Sequence, residues 1–137
     1  MKAYRHQVQY FETDMMGIVH PSCYVRWMEE AALDFLDQLG FPYREMEKEN
    51  IYSLIRSVYC KYKHPCTFGD NIDIQVEIRE FNGVVAGLGY EMTKADTGET
   101  VCSGKAEYCF LNKGGHFVIL KKALPAFYTK LAEMTVK

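Results

Sequence analysis

No apolar run in the sequence approaches the roughly 18 residues needed to cross a bilayer. The opening Met1-Lys2-Ala3-Tyr4-Arg5-His6 is not followed by the apolar stretch of a secretory leader. A soluble, cytoplasmic protein without a membrane span is expected. Excess charge of one sign is lacking too: 16 Lys+Arg stand against 18 Asp+Glu, a net charge of −2, so no nucleic-acid partner is expected. The five cysteines (Cys23, Cys60, Cys66, Cys102, Cys109) are odd in number and contain no Cys-x-x-Cys pair, which speaks against a disulfide framework and a zinc knuckle and suits a reducing compartment. The four histidines (His6, His20, His64, His116) show no His-x-x-x-His spacing, so no metal site is expected. Neither a glycine-rich phosphate cradle nor a linker, repeat or low-complexity stretch is present.

What is there is enough for one core. The chain has 137 residues, of which 48% are apolar, and a domain of that size buries about two-thirds of its unfolded surface. A single domain over residues 1–137 is expected. Val8-Gln9-Tyr10-Phe11 reads as a strand, broken at Glu12-Thr13-Asp14, and Met15 to Val19 as a loop. His20-Pro21 suits a helix start, because proline at the first helical position has its φ preset and loses only an N–H that would be unpaired there. From Ser22 to Leu39, Tyr24, Val25, Met28, Ala31, Ala32, Phe35, Leu36 and Leu39 recur at spacings of three and four, which predicts one long, largely buried helix. Gly40 before Phe41-Pro42 ends it.

Strands dominate the remainder. Ile51–Lys63 is β-branched and aromatic, while Ile72, Ile74, Val76 and Ile78 alternate with polar residues, the pattern of a strand with one wet face. Asn82-Gly83 predicts a two-residue turn with both φ values positive. Val84–Lys94 and Thr100–Leu111 follow as strands, with Pro125–Met134 as a closing helix. An antiparallel meander with one apolar face needs a cover, and the early helix is the long apolar one, so the α+β architecture expected is a sheet curled around that helix.

The densest group of reactive side chains lies between the first strand and the long helix. From the residues alone, Asp14 is a turn aspartate that bonds its own backbone two residues on. The segment Thr13-Asp14-x-x-Gly17-x-Val19, leading into a helix with Tyr24, Trp27 and Glu29-Glu30-Ala31, nevertheless resembles the acyl-CoA thioesterases of hotdog fold. That group contains hydroxybenzoyl-CoA thioesterase and the Tol-Pal-linked acyl-CoA thioesterases. Tyr62-Lys63-His64-Pro65-Cys66-Thr67-Phe68-Gly69-Asp70 resembles the family's Tyr-x-x-Pro-x-x-x-Gly-Asp segment, and Gly104 falls where the family often has glycine.

The resemblance implies a hotdog fold, a homodimer or homotetramer with active sites between subunits, and hydrolysis of an acyl-CoA or acyl-carrier-protein thioester. Coenzyme A would then be part of the substrate, and no cofactor is implied. It makes Asp14 the catalytic carboxylate, as general base or as nucleophile. It places Gly17, His20, Ser22 and Tyr24 on the substrate. Ser57 and Tyr59, on the strand after the helix, either border the acyl pocket across the dimer interface or belong simply to the sheet. Position 21 departs from the pattern: the family supplies a backbone N–H or a histidine there, and Pro21 has neither. The Ser22 or Cys23 N–H, the Ser22 hydroxyl or His20 would have to face the developing oxyanion, and the Ser22 N–H is the next free donor at a helix begun by proline. Two other readings use the same residues. A hotdog dehydratase would need a histidine paired with an acid, and a non-catalytic acyl-thioester binding protein would need no oxyanion donor.

Overall fold

The computed structural model describes residues 1–136. Five strands, β1 (Tyr4–Gln7), β2 (Tyr52–Tyr62), β3 (Asn71–Phe81), β4 (Val85–Lys94) and β5 (Thr100–Leu111), form one antiparallel sheet in the order β1-β3-β4-β5-β2. The long helix α1 (Ser22–Leu39) lies across its concave face. Three short helices, α2 (Tyr43–Lys48), α3 (Leu120–Ala123) and α4 (Pro125–Met134), complete the chain. Register shifts at Ile55/Ser57, Ile78/Glu80 and Met92/Thr93 add local twist and help curl the sheet.

α1 has the bounds its periodicity predicts. It buries Tyr24, Trp27, Met28, Ala31, Phe35 and Leu39 against the sheet. Gly40 closes it at φ 87°, and the Phe41 N–H reaches back to the Leu36 carbonyl at 3.0 Å, the six-to-one bond of a Schellman end. Gly104 lets the helix come close: a methyl group there would meet the Met28 Cε and Sδ atoms at 3.2 Å and the Tyr59 carbonyl oxygen at 3.3 Å.

The flanks of α1 differ. One faces β1, where the Tyr4 hydroxyl donates to Glu30 at 3.0 Å and Gln38 bonds the Lys2 backbone. The other carries Glu29, Ala32, Leu33 and Leu36 toward β2, the long edge strand, which leaves Leu54, Val58, Tyr59 and Tyr62 exposed.

Three local expectations change. The first strand runs over Tyr4–Gln7 rather than Val8–Phe11, because Tyr10–Glu12 coils into a 3-10 turn held by the Glu12 carboxylate on the Gln9 N–H at 2.8 Å. The β3–β4 turn is a three-residue loop, Asn82-Gly83-Val84, in which only Gly83 has positive φ. The Asn82 side chain takes the place of the second strained residue by accepting the Val84 and Val85 N–H groups at 2.9 and 2.7 Å. The short helices α2 and α3 were not legible in the pattern.

Candidate active site

Residues 13–19 form a miniature hairpin. Thr13 bridges Val19, the Asp14 N–H donates to the Ile18 carbonyl at 2.9 Å, and the Gly17 N–H returns to the Asp14 carbonyl at 2.9 Å with Gly17 at φ 78°. The hairpin is braced from beneath by the segment that joins β2 to β3. Ile18 bridges Thr67, and the Val19 N–H donates to the Cys66 carbonyl at 3.0 Å. Asp70 and Gly69 hold that segment in turn: the Asp70 carboxylate accepts the Thr67 N–H at 2.9 Å, and the Val8 N–H donates to the Asp70 carbonyl at 2.9 Å. The Gly69-Asp70 motif is thus a brace for the loop that carries Asp14.

Asp14 sits exposed at the hairpin's turn. Its Oδ1 accepts the Met16 N–H at 2.8 Å, the local bond a turn aspartate makes. Oδ2 has no protein partner among the described residues, and Asp14 joins no ion pair there. Met15 and Met16, next to it in the turn, are exposed, as are Tyr10 and Phe68, whose rings meet edge-on with centroids 5.7 Å apart. A cluster of this kind on a monomer surface marks a place that something covers.

Beyond the hairpin, the start of α1 is held by three contacts. The His20 N–H donates to the Glu12 carbonyl at 2.9 Å, the Cys23 N–H to the His20 carbonyl at 3.0 Å, and the Tyr62 hydroxyl to the Pro21 carbonyl at 3.1 Å. The Ser22 N–H is different, because its acceptor is a side chain: it donates to His20 Nδ1 at 3.2 Å, while the Ser22 hydroxyl lies 2.8 Å from the same nitrogen. Nδ1 accepts here, so the ring is assigned the tautomer with hydrogen on Nε2. Rotation of the exposed His20 side chain frees a backbone donor at the positive end of an 18-residue helix.

Two turns further on, the same face of α1 opens on a cavity of about 380 Å³ under β2, β4 and β5. Ala32, Leu36, Leu54, Leu88, Phe110 and Phe127 make most of its apolar wall, and Glu29, Ser53, Tyr43 and Tyr108 are its polar members. Ser22 and Glu29 are seven residues apart, close to two full turns, so they share a face about 10 Å apart along the axis. The Tyr108 hydroxyl lies 3.0 Å from that of Tyr90. Burial pushes both phenols above their ordinary range and the Glu29 charge adds to it, so both hydroxyls keep their protons.

Sequence reasoning did not place Glu29, Leu54, Tyr108 or Phe127 at a site. The available signal was the run Glu29, Ala32, Leu33, Leu36, one helical face with a carboxylate at its head.

Within one protomer Ser57 and Tyr59 lie outside the cavity beside α1. They pair with Glu107 and Lys105 on the sheet face away from α1: the Ser57 hydroxyl donates to Glu107 at 2.7 Å, and the Lys105 ammonium sits 5.3 Å over the Tyr59 ring. The bulge at Ile55/Ser57 sets this facing, because one extra residue reverses which side chains point inward. Tyr24 is buried, with its hydroxyl 3.4 Å from the Cys66 sulfur, so in the protomer it packs the core and presents no surface to a ligand. Burial pushes the Cys23 thiol up, and the Glu12 charge pushes it further, which removes it as a ready nucleophile.

The profile of the thioesterase-like superfamily matches residues 8–134. A protein of Aquifex aeolicus is 33% identical over 121 residues, covering 88% of this chain and 93% of the relative. Among solved structures, the gentisyl-coenzyme A thioesterase BH1999 superposes with a TM-score of 0.83 at 30% identity, over 90% of this chain and 99% of that one. A DHNA-CoA thioesterase from Staphylococcus aureus superposes with a TM-score of 0.93 at 23% identity, over 96% and 89%, and so shares the fold. With that profile spanning nearly the whole sequence and a curled sheet on one helix beneath it, the chain belongs to the thioesterase-like superfamily, as a thioester hydrolase of hotdog fold.

Proposed function

We propose that the protein hydrolyses an aromatic acyl-CoA thioester, with Asp14 as general base and the Ser22 N–H as oxyanion donor. The observation that carries this reading is the Ser22 N–H, held only by a side chain that can turn away, on the α1 face that leads to Glu29 and the apolar cavity. The thioester carbonyl sits at the start of α1, and Asp14 takes a proton from water through its unoccupied Oδ2. The resulting hydroxide forms a bond to the carbonyl carbon, whose oxygen becomes negative and receives the Ser22 N–H. Collapse breaks the C–S bond, and the thiolate leaves with a proton as free coenzyme A. His20 and Gly17 shape the approach: His20 by its rotation, and Gly17 by the positive φ that closes the turn under Asp14.

The acyl group points along the α1 face into the cavity. Its volume lies at the small end of the range for small-molecule sites, its walls are apolar and aromatic, and Glu29 and Tyr108 offer an acceptor and a donor for a ring hydroxyl. Gentisyl-CoA, the substrate for which the solved thioesterase BH1999, 30% identical to this chain, is named, is a thioester of that kind. A second copy of the chain, paired through the exposed β2 edge, covers the open side of the α1 face.

The test is thiol release from a panel of aromatic and straight-chain acyl-CoA thioesters. Asp14→Asn should remove turnover while leaving the fold and assembly unchanged. Parent-rate hydrolysis by that variant would rule out Asp14, and tight substrate binding by the parent with no thiol release would make the protein a binding protein instead.

A further inference from the structure

Among the described residues, Glu12 is the one buried charged side chain, 6% exposed. Burying a carboxylate is costly unless its oxygens are fully bonded, and these are. Oε1 accepts the Gln9 N–H at 2.8 Å and lies 2.8 Å from His6 Nε2, while Oε2 accepts the Trp27 Nε1–H at 2.6 Å. One side chain therefore ties together β1, the turn before the Asp14 hairpin, and α1. The main chain of the same residue completes the hold, since the Glu12 carbonyl accepts the His20 N–H at 2.9 Å and takes the Cys23 thiol at 3.6 Å. Both ends of the segment 13–20, one just before Asp14 and the other at the residue that covers the Ser22 donor, are fixed by Glu12.

The surroundings match. His6 lies between two carboxylates, with Nδ1 2.9 Å from Glu30, and stacks on the Trp27 ring with centroids 4.6 Å apart. The Tyr4 hydroxyl reaches Glu30. Burial pushes the Glu12 carboxyl up, but the Gln9 N–H, His6 and the Trp27 N–H together outweigh it and hold the group below the ordinary carboxylate range. None of these groups lines the cavity. A carboxylate kept in the interior at such cost, away from the substrate and bonded only to donors on three elements, calls for a function beyond packing.

We propose that Glu12 is a positioning residue for the hydrolysis. Its carboxylate locks the Asp14 hairpin against the start of α1, so that the base and the Ser22 donor face the same thioester carbonyl. The inference rests on Asp14 being the base. Displacing a catalytic group by about 1 Å can cost a hundredfold in rate, and the Glu12 side chain, two residues before Asp14, bonds Trp27 of α1 directly. Glu12→Gln keeps the shape but turns an amide NH2 toward groups that are themselves donors, so one contact must open.

The experiment uses the full chain and its single tryptophan, Trp27, which reports the contact directly. Folded Glu12→Gln should lower kcat by about ten- to a hundredfold, in line with a small misplacement, while KM for the acyl-CoA stays close to the parent's and Trp27 emission shifts. Glu12→Asp, which keeps the charge, should recover part of the kcat. If Glu12→Gln does not fold, His6→Gln decides: it removes one of the three ties and should lower kcat with KM held. Parent kcat in whichever of the two variants folds, with Asp14→Asn inactive, overturns the positioning role alone; full turnover by Asp14→Asn overturns the base and the positioning role together.

Discussion

Replacing Gly104 and Gly89 by alanine, one at a time, adds the same methyl group to two strands of one sheet and should give different outcomes. Neither glycine has positive φ, so alanine's backbone conformation is permitted at both. At Gly104 the new carbon meets the Met28 Cε and Sδ atoms at 3.2 Å and the Tyr59 carbonyl at 3.3 Å. Met28 can turn its thioether, but the Tyr59 carbonyl belongs to the paired β2 strand and cannot retreat without loosening the ladder. Overpacking of this sort costs about 1–3 kcal/mol, and alanine returns about 0.5–1 kcal/mol of chain entropy relative to glycine in a strand. A net loss of about 1–2 kcal/mol is expected, which for a domain of this size lowers Tm by about 3–8 °C.

At Gly89 the methyl meets the Arg79 guanidinium, the far end of a flexible exposed side chain. The Arg79–Glu77 pair that would be disturbed is worth about 0–1 kcal/mol in water, so Gly89→Ala should stay within about 0.5 kcal/mol of the parent once the entropy gain is counted. Thermal and urea unfolding of both variants measure the contrast. If Gly104→Ala is as stable as the parent, or Gly89→Ala is the more damaged of the two, then the close seating of α1 on β5 is not what glycine serves at position 104.

Other measurements bear on the site. His20→Ala removes the acceptor that occupies the Ser22 N–H, and releasing one hydrogen bond worth about 1 kcal/mol should raise kcat/KM by up to about fivefold; a tenfold fall would make His20 itself the oxyanion donor. Sedimentation of the parent should give at least twice the chain mass of 15.9 kDa, and a charge placed on the exposed edge by Val58→Lys should reduce assembly; a parent that sediments as a monomer would remove the second copy from the site. Lowering the pH should weaken the fold through Glu12. Its carboxyl is held low in the native state, so its contribution is complete above the ordinary carboxylate pKa and is lost as the pH falls through the depressed native value. The groups facing it are His6, Trp27 and the Gln9 N–H, with Cys23 beside its carbonyl and Glu30 and Tyr4 on the far side of His6. Glu12→Gln should flatten the acid limb of a stability-against-pH curve, and an unchanged limb would assign it to other carboxylates.

Local pattern was enough to determine the long elements. The three- and four-residue recurrence from Ser22 to Leu39, closed by Gly40, specifies α1, because an apolar stripe of that period can be buried only by a helix. The alternation from Ile72 to Ile78 specifies a half-buried strand, and Pro125 marks the start of α4. The order of those elements and the motif around Asp14 already pointed to a sheet wrapped on a helix and to thioester chemistry. The tertiary structure decided the rest, because each remaining feature depends on residues far apart in the chain. The bulge at Ile55/Ser57 turned Ser57 and Tyr59 outward. The cavity beside α1 forms where Glu29, Leu54, Tyr108 and Phe127 converge from four elements. Glu12, one of 18 acidic residues when read in sequence, became the buried anchor of the Asp14 hairpin once β1 brought His6, and α1 brought Trp27, within hydrogen-bonding distance of its two oxygens.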